Sequence, residues 1–378
     1  MVGWVNGWSK LLPFVGMVVA MMAQSGSNVV IQVAMADGIN KYVMVVYSMA
    51  LSTILLLPFL FFLHRFSFFL PFEGNIYIYL VSKNKHICII SLFISSSERP
   101  PLTFSVLCSF FLLALFGSLG QIMAYIGIDL SSATLASATL NLIPAFTFVL
   151  AVIFRMEVVH WTHYSSQAKV LGTIVSIAGA FIMILYKGPT ILKTHLSDSS
   201  NKLQFSPQLN WIMGGIFCVG DSLASSMWYI YQASVVKKYP AVTVIVFFQI
   251  LFSTVQCTVF ALIAVRDPRE WRVKLDMELI GIVYQAIGAT LIRYMLCTWC
   301  VFRAGPLFCA MFKPVGIIFT VFMGVIFLGD DFGLGSLIGA VIIVAGFYTV
   351  LWGKSRGENN NENLESSCHN APLLQNTA

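Results

Sequence analysis

Stretches of about 20 apolar residues, the length of helix that crosses the hydrocarbon core of a bilayer, recur ten times along this chain. They fall at 11–34, 42–63, 104–128, 131–154, 168–186, 209–233, 241–265, 278–301, 305–328 and 333–352. Inside lipid such a run satisfies its own backbone by coiling into a helix. Composition excludes the soluble alternative. Hydrophobic residues make up 58% of the 378 and charged ones 10%, where soluble domains carry roughly 25% charge. The expected fold class is therefore all-α, a polytopic membrane protein of ten transmembrane helices. Trp4 and Trp8 precede the first run without a small-residue cleavage site, so the start reads as a span rather than a signal peptide.

An even number of spans puts both termini on one side, and positive charge identifies the cytosolic side. With the N-terminus inside, inner segments carry twelve Lys and Arg and outer segments eight, the remaining two of the 22 lying within spans. Both termini are thus expected in the cytosol. Residues 66–97 do not fit the pattern: they are apolar but broken by Pro71, Glu73-Gly74-Asn75 and Ser82-Lys83-Asn84-Lys85-His86. Removing them joins Arg65 to Glu98-Arg99-Pro100-Pro101, a loop of ordinary length, which marks 66–97 as a cytosolic insert or a retained intron. After Gly353 the composition turns to Asn, Glu and Ser, the signature of a disordered tail at 354–378.

The chain repeats itself. Gly172-Thr-Ile-Val-Ser-Ile-Ala-Gly179 matches Gly339-Ala-Val-Ile-Ile-Val-Ala-Gly346, and Leu135–Asn141 aligns with Leu307–Lys313, each followed by a proline, Pro144 or Pro314. Spans 1–5 and 6–10 read as two copies of one unit. Five spans per copy make the copies inverted across the membrane, the plan of many secondary transporters.

The strings N-L-I-P-A-F-T-F-V-L-A-V-I-F-R-M-E (141–157), Q-A-K-V-L-G-T-I-V-S-I-A-G-A (167–180), T-W-C-V (298–301), G-P-L-F (305–308) and V-I-F-L-G-D (325–330) resemble plant members of the EamA-type drug/metabolite transporters. That group is the walls-are-thin-related, nodulin-21-like or UMAMIT family. The resemblance covers about 10–353 apart from 66–97. It implies a first EamA five-helix repeat at 11–187, a linker at 188–208 and a second repeat at 209–353. It also implies a place in the plasma membrane or the vacuolar membrane, and facilitation or export of amino acids or, in some members, auxin.

Charges inside a span cost roughly 2.5–3.5 kcal/mol on insertion scales and usually face a cavity or a partner. Asp221, Arg293 and Lys313 are the clear cases here. In the repeat alignment Arg293 falls opposite Gln121, Lys313 opposite Asn141, and Asp221 near the counterpart of Gln24. Gln24, Asn28 and Gln32 recur every four residues, as one polar stripe. Asp221, Ser225, Trp228, Tyr229 and Gln232 form a second stripe with aromatics in it. Ten residues are therefore candidates for substrate contact: Gln24, Asn28, Gln121, Asn141, Asp221, Ser225, Trp228, Tyr229, Arg293 and Lys313. Two cations against one acid favour a carboxylate-bearing small molecule, and the aromatics suit an apolar side chain or an indole. The plain alternatives are amides that only bond neighbouring helices, at about 0.6 kcal/mol each, an ion pair of Asp221 with Arg293 or Lys313, and a Lys313 that snorkels to the interface.

Other classes find no support in the residues. All six histidines lie outside the spans, and no H-E-x-x-H, Walker loop or G-x-S-x-G occurs, so neither an enzyme nor an ATP-driven pump is expected. No metal site or other cofactor is expected either: Cys297 and Cys300 sit one helical turn apart in an apolar run and read as packing. No basic stripe interleaved with aromatics points to nucleic acid. The expected partners are a small-molecule substrate and the lipid bilayer, and a homodimer is compatible with the sequence without being required by it. The leading reading is an alternating-access carrier of amino acids. Carriage of auxin or a related organic anion stands second, and a non-transporting receptor or scaffold, or a non-functional splice isoform, stands third.

Overall fold

The computed structural model describes residues 2–36, 39–69, 102–130, 139–156, 164–185, 190–192, 208–273, 277–324, 326 and 332–369. Its helices, in chain order, are α1 (Val2–Ala36), α2 (Lys41–Phe69), α3 (Phe104–Leu130), α4 (Ile143–Ile153), α5 (Tyr164–Leu185), α6 (Gln208–Lys238) and α7 (Val242–Ala264). Then α8 (Met277–Tyr284) runs through a π-helical stretch, Gln285–Ile292, into α9 (Arg293–Ala304). After these come α10 (Pro306–Met311), α11 (Lys313–Met323) and α12 (Leu334–His369). The all-α expectation holds, and beside the helices one short pair of strands is formed: β1 (Thr190–Leu192) pairs antiparallel with β2 (Phe332–Gly333) just ahead of α12.

Local chemistry sets the element ends. The Asn40 side chain accepts from the Tyr42 backbone N–H at 3.0 Å, capping the first turn of α2. Lys237 and Lys238 close α6 where the helix dipole is negative. At the α9–α10 corner Gly305 takes φ 88°, beyond reach of most L residues, and Pro306 opens the next helix.

The apolar core carries many buried polar side chains, and the surface is rich in large apolar ones. Ser27, Ser48, Ser52, Gln232, Gln249 and Thr298 are fully buried, whereas Ile54, Val259, Ile263, Val341 and Tyr348 stand exposed. Large apolar side chains on the outside and polar ones within match a lipid surround. Among the described residues, five helical stretches are long and apolar enough to cross a membrane: Leu11–Val30, Lys41–Pro58, Phe104–Leu130, Val242–Ala264 and Met277–Ala304.

The packing partners of one half echo those of the other. α1 lies against α8, the π-helical stretch, α9 and α11, as α6 lies against α3 and α4, while α2 packs on α7. The longest seam joins α5 to α12. There a Cβ on Gly172 would sit 2.6 Å from the Gly346 carbonyl oxygen, so the two backbones touch, as in small-residue helix seams in membranes.

Two sequence expectations meet different outcomes at their edges. The insert expected at 66–97 begins inside α2, which continues to Phe69, and 70–97 lies outside the described residues. The tail expected to be disordered from 354 is helical to His369. Turns already formed in the apolar part of α12 remove the nucleation cost, so a polar sequence can extend the helix. Residues 370–378 lie outside the described part.

Candidate functional site

A cavity of about 300 Å³ lies between α1, α3, α6, the α8–α9 helix and α11. Nine of the ten sequence candidates line it: Gln24, Asn28, Gln121, Asp221, Ser225, Trp228, Tyr229, Arg293 and Lys313. Asn141 does not. It is fully buried in the turn at 141–142 that precedes α4. That turn resets the helical phase, and Leu140 takes the place on the cavity wall. The side chain of Gln32 lies outside the described set.

The four-residue spacing on α1 works as helix geometry requires: Gln24 Nε2 donates to Asn28 Oδ1 at 3.1 Å. Beside them, Ser25 Oγ donates to the Gly316 carbonyl at 2.9 Å, tying α1 to α11. On α6, Ser225 Oγ donates to Asp221 Oδ1 at 3.3 Å, one turn away. Two glycines of α3 make room opposite. A Cβ on Gly120 would fall 2.9 Å from Asp221 Oδ1, and one on Gly117 would fall 3.6 Å from the Trp228 indole nitrogen.

Arg293 opens α9 directly after the π-helical stretch. Its Nε donates to the Ala289 carbonyl at 2.8 Å, and its guanidinium carbon lies 4.4 Å from the centre of the Tyr294 ring. Tyr294 meets Trp228 edge-on at 5.7 Å, and Trp228 meets Tyr229 at 4.9 Å. The result is a cationic group backed by a wall of three aromatic rings. Among the described residues no ion pair joins Asp221, Lys313 and Arg293 to one another. The three share the cavity instead of forming the structural ion pair the sequence also allowed.

Sequence reading missed Gln285, Thr290 and Tyr294, which also line the cavity. A π-helix brings residue i near i+5, so Gln285 shares a wall with Thr290, and Ala289 with Tyr294. A search for α spacing passes over both pairs. Tyr125 of α3, also on the wall, was missed too; its spacing of four from Gln121 was the available signal.

The fourth and ninth expected spans are each interrupted just ahead of a proline. Helix geometry breaks at 141–142 before Pro144, and at Phe312 before Pro314. Neither proline can donate a backbone hydrogen bond to the residue four before it. Broken helices of this kind commonly flank transporter binding sites. Cys297 and Cys300 are buried, and Cys300 Sγ donates to the Pro13 carbonyl at 3.4 Å, a packing contact. Among the described residues no group of three His, Cys, Asp or Glu side chains is arranged to hold a metal ion.

Residues 212–352 match the EamA-like transporter family. The WAT1-related protein At3g28050 of Arabidopsis thaliana is 39% identical over 350 residues, covering 92% of this chain and 86% of its own. Protein WALLS ARE THIN 1 of the same plant is 34% identical over 357 residues, covering 92% and 84%. This chain belongs to the WAT1-related family of EamA-type transporters. A solved crystal structure with 12% identity superposes with a TM-score of 0.61 over 93% of this chain and 99% of that one, which shows the shared fold. As a WAT1-related EamA protein the chain is an integral membrane transporter, with a small molecule as cargo and the bilayer as its surroundings.

Proposed function

We propose that this chain is a secondary carrier of ten transmembrane helices, arranged as two inverted five-helix repeats, that moves amino acids by alternating access. The observation that carries this reading is the central cavity. It gathers one carboxylate, two cations, four amides and an aromatic wall, with walls drawn from both halves of the chain. Its volume stands at the small end of the usual range for ligand pockets, about 300–1,000 Å³, in keeping with a cargo the size of an amino acid. A zwitterion matches both signs of charge, and the extra cation favours the carboxylate. The exchange of helix contacts between halves, and the breaks before Pro144 and Pro314, support the inverted repeat.

Both termini face the cytosol in this reading, and the host membrane is the plasma membrane or the vacuolar membrane. A second cargo, an indole carboxylate such as auxin, is favoured by one specific feature: Trp228, Tyr229 and Tyr294 stand beside Arg293. Uptake and efflux of labelled amino acids and indole-3-acetate in proteoliposomes test the proposal, with Asp221→Asn and Arg293→Gln run beside the wild type. Flux in the wild type that drops at least about tenfold in both variants, a loss of about 1.4 kcal/mol of binding or barrier, supports the carrier. Flux that persists in both variants places the cargo elsewhere. A correctly inserted wild type that carries none of the probes overturns the reading in favour of a receptor or scaffold.

A further inference from the structure

The aromatic floor of the cavity has a second polar layer directly behind it. One helical turn beyond Trp228 on α6 lies Gln232, and one turn beyond Tyr294 on α9 lies Thr298. Trp228 and Tyr294 touch at the first level. At the next, Gln232 Nε2 donates to Thr298 Oγ1 at 2.7 Å, and Thr298 Oγ1 donates to the Tyr294 carbonyl at 2.7 Å. The third member comes from α7, which packs against α9. Gln249 is fully buried there, and among the described residues neither its Nε2 nor its Oε1 has a hydrogen-bond partner. Gln232 Oε1 also lacks one.

The depths agree. Gln232 stands six residues before the end of α6, Thr298 six before the end of α9, and Gln249 seven after the start of α7. At 1.5 Å per residue all three lie about 9–11 Å from the face where α6 ends and α7 begins. Near them in sequence, Val235 and Val236 on α6, Ile245 and Val246 on α7 and Val301 on α9 belong to the buried apolar core. Unpaired amides in such a place destabilise a protein, and each calls for an explanation.

We infer that Gln232, Thr298 and Gln249 form a second station on the transport route, between the aromatic floor and the face where α6 ends. This rests on the carrier reading above. When Trp228 and Tyr294 part, the free amide atoms receive the polar groups of the cargo, or of its accompanying water. An amide offers both a donor and an acceptor, so it serves a carboxylate and an ammonium alike. The station holds no charged side chain, unlike the cavity with Asp221, Arg293 and Lys313. The cargo is therefore held by charge in the cavity and released through neutral groups, since passage needs binding weak enough to leave.

The test uses the full-length chain in proteoliposomes, with labelled tryptophan, glutamine and indole-3-acetate as probes. Gln249→Met and Gln232→Met keep the side-chain length and remove the amide, and Thr298→Val removes the hydroxyl at nearly constant volume. Equilibrium binding and exchange are measured for each, together with Tm. The expected result is binding within about twofold of wild type, exchange lowered about tenfold or more, and a higher Tm for Gln249→Met as its unpaired amide disappears. Unchanged exchange with a higher Tm would overturn the inference and leave the carrier intact. So would binding and exchange that fall together, because the layer would then only support the cavity. If a Met substitution prevents insertion, Gln249→Asn, which keeps an amide, must retain exchange within about threefold of wild type or the inference fails. A wild type that binds none of the probes removes the carrier reading itself, and this inference with it.

Discussion

Gly120 shows how closely the site depends on single atoms. It lies on α3 with no side chain, and the Asp221 carboxylate occupies the space a Cβ would need, 2.9 Å away. In Gly120→Ala the carboxylate must shift, because 2.9 Å is too close for a carbon and an oxygen that are not bonded. Displacing it also disturbs the hydrogen bond from Ser225. The expected outcome is about tenfold weaker binding of a zwitterionic probe, equivalent to about 1.4 kcal/mol, with insertion preserved. Gly117→Ala is the matched control. Its Cβ would meet the Trp228 ring at an ordinary 3.6 Å, and binding should stay within about twofold. Equal losses in the two variants, read by equilibrium binding, would mean that α3 packing rather than the Asp221 position sets affinity.

Whole spans follow the same logic, with the π-helical stretch Gln285–Ile292 as the decisive case. A π-bulge arises where one extra residue sits in an α-helix, and such bulges gather at functional sites. Here it brings Gln285 and Thr290 onto the wall that Arg293 and Tyr294 share. Deleting Ile287, a residue exposed toward the lipid side, should let the stretch return to α geometry. Gln285 would then rotate by about 100° relative to Arg293. Probe binding is expected to fall at least about tenfold while helix content by circular dichroism stays unchanged; binding within about twofold of wild type would refute that role. The same feature explains what the sequence concealed. Gln24 with Asn28, and Asp221 with Ser225, were legible because regular α-helix keeps residues four apart on one face. Gln285, Thr290 and Tyr294 were not, because the period changes locally without a residue that signals it. Asn141 misled for a related reason: the turn ahead of Pro144 shifts the phase by one position and gives the wall to Leu140.

Across the whole molecule the apolar runs made the helices legible, since lipid allows little besides a helix for twenty apolar residues. How the bundle closes at its two ends was not legible, because it depends on side chains that are far apart in sequence. One end is filled by packed aromatics, Phe14, Phe308, Phe312 and Phe347. At the other end Lys41, at the start of α2, pairs with Asp129 near the end of α3. Lys41 also lies over the rings of Tyr42 and Tyr125, 5.3 and 5.7 Å from their centres, and Tyr125 is part of the cavity wall. The Asp129 side chain is half exposed, so the pair adds only about 0–1 kcal/mol to stability. Under the proposed alternating access that small energy still matters, because 1 kcal/mol changes the ratio of two states about fivefold. Lys41→Gln should therefore leave Tm almost unchanged and alter the exchange rate by about twofold to fivefold. The paired change Lys41→Asp with Asp129→Lys should bring the rate back toward wild type, since the attraction is restored with its signs reversed. A double variant no closer to wild type than Lys41→Gln would show that the rings over which Lys41 lies, rather than its pairing with Asp129, control that end of the bundle.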